Sequence, residues 1–394
     1  MIIVIFVIKN PFRPGSPIEP MYFGGRREEQ ARFTKALRTS ISGNPGHLTV
    51  LGSPGIGKSS ILWKFEELAK NNGCLVVRRE CDTTIESIPA LVLFLLESLK
   101  QEGSRYTSSS KKIPQSATNF FNNYKVGGSV LGLGFTIEKL KTEPIAQDYL
   151  YNELMHVWNR INKNINGIVF LIDEAEKIQQ IDGVWGFLRS VFTRLSEQNV
   201  GLMFVAAGRI DLYKNIKDLW APAERFFYPI RLNPMNVEET KETLEKPLAA
   251  FSKSIDDGAV DEIRMLSGGS PYIIQNFGFH VFEKGVSKVT KETVREAAID
   301  VISALSAQIF HDKYESASFT ERGVLLALAS ASGGLRPKEV EEISGIKSVS
   351  THLRRLIKKE YVIQNGNRYA VFTPLFGKYV LARAGQNDQD SSHR

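Results

Sequence analysis

Cysteine is nearly absent from this chain of 394 residues, which carries only Cys74 and Cys81. The two bracket a single predicted strand over 75–80, so no disulfide framework is available. That usage suits a reducing compartment, and a cytoplasmic location is expected. Histidine is sparse as well. The six present are scattered without the spacing of metal ligands, which argues against a zinc site. No apolar run is long enough to span a bilayer. The nearest is Met1-Ile-Ile-Val-Ile-Phe-Val-Ile8, with no basic flank before it and no small-residue cleavage site after it. It reads as a short edge strand, or as a start codon placed too early, rather than as a signal peptide; no membrane association is expected. Internal repeats are lacking too.

Acidic residues are in the minority, 43 against 50 Lys and Arg, giving a net charge of +7. That surplus is concentrated. From Phe319 to Ala384 eleven Lys and Arg face five Glu, so nearly all of it lies in the last sixth of the chain. Localised basicity of this kind is what a polyanion-binding module requires, because phosphate neutralisation dominates its affinity. With 42% apolar and 24% charged residues, the rest is ordinary for a soluble globular protein, and the length allows two or three domains.

The strongest local pattern is Gly52-Ser53-Pro54-Gly55-Ile56-Gly57-Lys58-Ser59-Ser60, after the apolar run Leu48–Leu51 and before a predicted helix over 61–69. Strand, glycine-rich turn and helix together make a phosphate cradle. The glycines let successive N–H groups turn inward, and the helix start adds partial positive charge. Lys58 is placed to reach the β- and γ-phosphates, and the Ser59 hydroxyl to ligate Mg²⁺. The bland alternative is a chance flexible turn, which the strand before and helix after disfavour.

A second pattern supports the first. Gly167–Ile172 has no polar side chain and ends in Asp173-Glu174. It reads as a central parallel strand with an acidic pair at its carboxyl end, where ligands bind in open α/β sheets. Asp173 would hold Mg²⁺ through water, and Glu174 would orient and deprotonate an attacking water. The competing reading is a solvated acidic start to the next helix. The two motifs together indicate a nucleoside triphosphate site.

Strand-like runs at 75–81, 201–206 and 226–232 alternate with helical segments, which predicts an α/β core with a parallel sheet over residues 1–234. An insertion falls at about 103–144. Within it, Ser104–Ser116 is polar enough to be mobile, and Tyr124–Leu140 alternates like a hairpin. Residues 235–310 read as a helical lid, and 311–318 as a linker. Residues 319–384 then give three helices and a hairpin around Asn365-Gly366, the order of a winged helix-turn-helix. Val349, Leu353 and Leu356 form the buried stripe of the third helix. Ser348, Thr351, His352, Arg355 and Lys359 are expected to project outward, and Ser348, Thr351, Arg354, Arg355, Lys358 and Lys359 to meet duplex DNA, with Arg368 on the wing. A protein-binding winged helix with a solvated basic face is the alternative.

Phe23-Gly24-Gly25-Arg26-Arg27-Glu28-Glu29, the two nucleotide motifs, the lid and the winged helix come in an order that resembles the origin-recognition and initiator-type AAA+ ATPases and related archaeal-type ATPases, over residues 10–384. The resemblance implies ATP with Mg²⁺, and hydrolysis that stays slow until a second copy or a protein partner supplies an arginine. Gly25-Arg26-Arg27-Glu28-Glu29 is similar to the family's Gly-Arg-x-x-Glu box, which implies that Arg26 lies near the adenine. Gly24 stands where a bulky aliphatic is common. Ser267-Gly268-Gly269-Ser270-Pro271-Tyr272 looks like the family's Gly-Gly-x-Pro turn, and Pro271 is implied to touch the nucleotide. The initiator branch carries an arginine there; this chain does not, and is closer to signalling ATPases. Relatives place Asn, Ser or Thr at the end of the strand beside Asp173, whereas here Ala206-Ala207-Gly208 leads to Arg209. Arg225 stands where an arginine finger is implied, although a surface arginine capping a strand fits equally. Two functions stay open: an ATP-driven switch on duplex DNA whose lid closes over ATP, and a signalling ATPase whose winged helix binds protein. A scaffold that binds nucleotide without hydrolysis is a third.

Overall fold

Five apolar runs become five strands: β1 (His47–Leu51), β2 (Cys74–Glu80), β3 (Gly167–Asp173), β4 (Leu202–Gly208) and β5 (Phe227–Arg231). They pair in the order β2-β3-β4-β1-β5, every pair parallel. The computed structural model describes residues 9–109, 115–124, 126, 143–212, 226–331 and 333–392. Every residue of β1, β3 and β4 is buried, as strands covered on both faces require. The register sets Leu51 beside Gly208 and Ile172 beside Ala206. The carboxyl ends of β1, β4 and β3 therefore share one edge of the sheet, with the glycine-rich turn and the acidic pair both on it.

Helices α1 (Arg27–Ile41), α2 (Lys58–Asn71), α3 (Ile88–Ser109), α4 (Gln115–Asn123), α5 (Glu143–Ile161) and α6 (Val184–Glu197) complete this part. α3 runs on through 104–109, where the polar composition predicts mobility. Phe121 of α4 lies against Gly103, where an added Cβ would be 2.1 Å from its ring. This packing outweighs the weak local signal. Most of the expected hairpin, 127–140, lies outside the described residues, as does the apolar stretch 1–8.

The chain divides into two compact units. One holds Arg26–Asn233 with Glu19–Met21; the other holds Pro234–Arg394 with Tyr22–Gly25 and the segment up to Ile18. The second unit begins with α7 (Val237–Ala249), α8 (Asp257–Ser267), α9 (Pro271–Glu283) and α10 (Lys291–Leu305). A two-residue parallel ribbon, β6 (Ser254–Ile255) with β7 (Lys288–Val289), joins them. A π-turn, Ser306–Phe310, leads straight into α11 (His311–Glu315), so most of the segment expected as a linker is helical. Next come α12 (Phe319–Ala329), α13 (Pro337–Ser344) and α14 (Ser350–Lys358). The antiparallel hairpin β8 (Val362–Asn365) and β9 (Arg368–Val371) and the last helix, α15 (Pro374–Ser392), follow.

Three helices followed by a hairpin is the winged-helix order. These elements share one hydrophobic core with α7–α10, running from Phe277 and Val301 through Phe310 to Leu353 and Phe376. The Thr373 hydroxyl donates to the Leu266 carbonyl at 3.0 Å, fixing the chain after β9 to α8. The segment before Ile18 packs here as well: Phe12 lies on Gly278 of α9, and Asn10 donates to the Phe279 carbonyl.

Candidate functional site

The glycine-rich turn has the shape its sequence demands. Gly57 caps α2 at φ 94°, a left-handed angle that side chains resist. A Cβ on Gly52 would come 2.4 Å from the Ile56 methyl. Gly57 offers no side-chain cap, so the first N–H groups of α2 face outward for an anion. Lys58 is buried. Its ammonium donates to the carbonyls of Gly52 (2.9 Å) and Ser53 (3.2 Å), which curls the side chain back over the turn. No carboxylate lies within ion-pair distance of it among the described residues. Ser53 also accepts the Ile56 N–H, while Pro54 and Gly55 are exposed at the tip. A buried cation held only by neutral carbonyls fits a phosphate.

Ser59, on the first turn of α2, donates to Asp173 Oδ2 at 2.6 Å. The two motifs therefore meet, offering a hydroxyl and a carboxylate of the kind Mg²⁺ takes. Ser60 follows on the same turn. Asp173 ends β3 and is buried; its other oxygen accepts the Glu174 N–H at 3.0 Å. Glu174 sits at φ 54°, a strained angle for a non-glycine residue. Its carboxyl is held above the ordinary range by burial, then by the neighbouring Glu176 and Asp173 charges, with Lys177 and Lys58 pulling the other way. A raised carboxyl beside a phosphate cradle is what a general base requires.

Arg26 reaches this turn too. Its guanidinium is buried and donates to the Ile56 carbonyl at 3.3 Å. A second nitrogen lies 3.6 Å from Glu29. Arg26 therefore braces the phosphate loop itself, a contact that the family box does not specify.

In the second unit, α14 presents Thr351, Arg354, Arg355 and Lys358 on one exposed face, with Ser348 just before it at φ 58°. Arg354, Arg355 and Lys358 have no ion pair among the described residues. Val349, Leu353 and Leu356 are buried beneath them. Lys359 and Arg368 are exposed but engaged. Lys359 donates to Glu321 (2.8 Å) and to the Ser316 carbonyl; Arg368 donates to the Gly334 carbonyl (2.8 Å), with Glu339 at 3.6 Å.

Comparison with known proteins agrees with this geometry. The family model described as AAA ATPase domain matches residues 22–205. Over those residues the chain is similar to AAA ATPase domains. A Walker-type ATPase of Pyrococcus abyssi superposes with a TM-score of 0.57 at 15% identity, covering 92% of this chain and 99% of that one. The ORC2 protein of Aeropyrum pernix, in ADPNP–ADP complexes, gives 0.55 at 13% identity, covering 94% and 95%. At these identities the likeness is one of fold. An uncharacterized HTH-type transcriptional regulator of Methanocaldococcus jannaschii is 21% identical over 96% of this chain and 93% of its own length.

Within the matched residues, the structure brings Arg26, Lys58, Ser59, Asp173 and Glu174 to the edge that carries the loop. Pro271 belongs to the other unit, where it is buried as the first residue of α9. Arg209 is exposed just past β4, and Arg225 lies outside the described residues. Sequence reasoning overlooked Glu176, whose Oε2 is buried without a protein donor near the end of β4. Its only signal was the missing polar side chain at Ala206–Gly208. Among the described residues no helix is long and apolar enough to cross a membrane, and no group of His, Cys, Asp and Glu could hold a metal ion by itself.

Proposed function

We propose that this chain is an ATP-binding and ATP-hydrolysing switch that acts on duplex DNA through its winged helix. The observation that carries the nucleotide half is the Ser59–Asp173 hydrogen bond, which joins motifs 114 residues apart. Bound ATP supplies the phosphoryl group, and Mg²⁺ draws charge from the triphosphate oxygens. Ser59 and Asp173 would hold the metal. Lys58 swings from its carbonyls to the phosphates, and the amides of residues 57–60 bind the phosphate oxygens. Arg26 holds the loop in shape through Ile56. Glu174 takes the proton of the attacking water.

Charge developing in the transition state calls for an arginine, from Arg225 of a second copy or from a partner, so turnover alone is slow. On α14, residues 351, 354, 355 and 358 share one face at helical spacing, the placement a major-groove reader needs. The likeness to an HTH-type regulator over nearly the whole chain supports this half.

Glu174→Gln should lower ATP turnover by about 10²–10⁴-fold while retaining ATP affinity; unimpaired turnover would refute the base. Duplex affinity should fall steeply with salt, and each of Arg354→Gln, Arg355→Gln and Lys358→Gln should flatten the log–log slope by about 0.9.

A protein-binding winged helix is the second reading. The observation favouring it is that Lys359 and Arg368 are already engaged by Glu321 and Glu339. A slope near zero would select it.

A further inference from the structure

The second unit has a groove of its own, between the end of α10 with its π-turn and one face of α15. Its volume is about 620 Å³, within the roughly 300–1,000 Å³ of clefts that take small ligands. Helical spacing forms both walls. On α15, Lys378 and Ala382 stand four residues apart, as do Tyr379 and Arg383, so all four share one face. Opposite them, Ile302 with Ser306 and Ser303 with Ala307 repeat that step. Past these the π-turn widens the helix: the His311 N–H donates to the Ser306 carbonyl, five residues back. A step of five in place of four keeps His311 in line with Ser306, and so in the groove wall.

The lining combines apolar and cationic groups. Ile302, Ala307, Ala382 and the Tyr379 ring supply the apolar part. Tyr379 is fixed, with Phe310, Tyr314 and Phe376 at ring-centroid distances of 5.7, 6.2 and 6.4 Å. Its hydroxyl accepts from Arg383 Nε at 3.1 Å, and His311 Nδ1 accepts from a second Arg383 nitrogen, also at 3.1 Å. Two neutral partners thus aim the guanidinium and leave most of its N–H groups for a ligand. Among the described residues no carboxylate lines the groove. Glu315, which acts on Arg383 electrostatically, is itself paired with Arg322 at 2.7 Å. Lys378 has no ion pair among the described residues.

We propose that this groove binds a small organic acid, an oxyanion carried on an apolar body, independently of the nucleotide site. Arg383 and Lys378 take the oxyanion, and the Ser303 and Ser306 hydroxyls complete its hydrogen bonds. The body lies against Tyr379, Ile302 and the two alanines. A phosphate of the DNA backbone would leave that apolar wall unused. The π-turn and α15 belong to the core that also holds α12 and α14, so the bound acid stabilises the whole second unit.

The test is calorimetric titration of phenyl phosphate, benzoate and neutral benzyl alcohol into the full chain. One saturable site for an anion is expected, with benzyl alcohol about tenfold weaker or more. The stronger of the two anions tells a phosphoric from a carboxylic acid ligand. Arg383→Gln and Lys378→Gln should each weaken that anion about tenfold or more, the loss of one charged hydrogen bond. Ala307→Trp, which fills the groove from an exposed position, should abolish binding without lowering the unfolding midpoint. Lys58→Ala should leave anion affinity as it is. No saturable binding of either anion, equal affinity for benzyl alcohol, or affinity unchanged in all three groove variants would overturn the proposal. So would a loss confined to Lys58→Ala, which would place the anion in the phosphate loop. If Lys378→Gln flattened the salt slope of duplex binding as much as Arg354→Gln does, the groove would belong to the DNA face and the small-ligand reading would fall.

Discussion

His47 shows how one side chain can tie a strand to pH. It is fully buried at the start of β1 among Phe192, Phe226 and Phe227, and its Nδ1 accepts the Phe204 N–H at 3.0 Å. Burial pushes its pKa down to about 3, so the folded ring stays neutral where the unfolded one, near 6.5, becomes charged. Between those values the unfolded chain binds more protons. Stability therefore rises with pH there, and acidification below 6.5 costs about 1.4 kcal/mol per pH unit from this residue. Urea unfolding at pH 5 and pH 7 should show that loss. In His47→Gln, whose amide oxygen can accept the same N–H, the His47 share of the slope should vanish; a slope as steep as wild type would place its source elsewhere. Burial likewise pushes both thiols, Cys74 and Cys81, up to about 12, which makes them inert.

Among the elements, the ends of α12 and α14 are joined by one carboxylate. Glu321 closes the capping box of α12 with Ser318 and accepts the Lys359 ammonium from the end of α14. Glu321 is buried, and burial alone would raise its carboxyl. The Lys359 and Ser318 hydrogen bonds prevail and hold it below the ordinary range. Glu321→Ala should destabilise the second unit by about 1–3 kcal/mol, read as a shift in its unfolding midpoint. Lys359→Gln should change the salt slope of duplex binding less than Arg354→Gln does, because Lys359 already has a partner. Equal slopes would mean that Lys359 leaves Glu321 for phosphate.

At this scale much was legible. The loop, the acidic pair and the stripe Val349, Leu353 and Leu356 follow from spacing alone. The ribbon β6–β7 did not, since two-residue strands carry no period. Nor did the reason for glycine at 24: a Cβ there would come 2.5 Å from the Thr243 nitrogen of α7, a constraint 219 positions away in sequence.

For the second unit, α7–α10 and the three helices and hairpin that follow share one core and one π-turn-to-helix connection. Any rearrangement of α8 or α10 thus carries α14 with it. The sequence suggested a break at 311–318 because that stretch is polar. Phe310 just before it and Tyr314 within it nevertheless fill the core, and such long-range partners leave no trace in local composition. The acidic pair and the loop, by contrast, were readable because each motif needs its own residue types in its own order. Only their meeting, through Ser59 and Asp173, required the fold.

The most direct test of the central claim is calorimetric titration of ATP into the full chain, with Mg²⁺ and with a chelator, for wild type and Lys58→Ala. A single saturable site strengthened by Mg²⁺ and weakened about tenfold or more by Lys58→Ala is the predicted result. Equal affinity in the two proteins, or no retention of ATP by wild type in Mg²⁺, would contradict it.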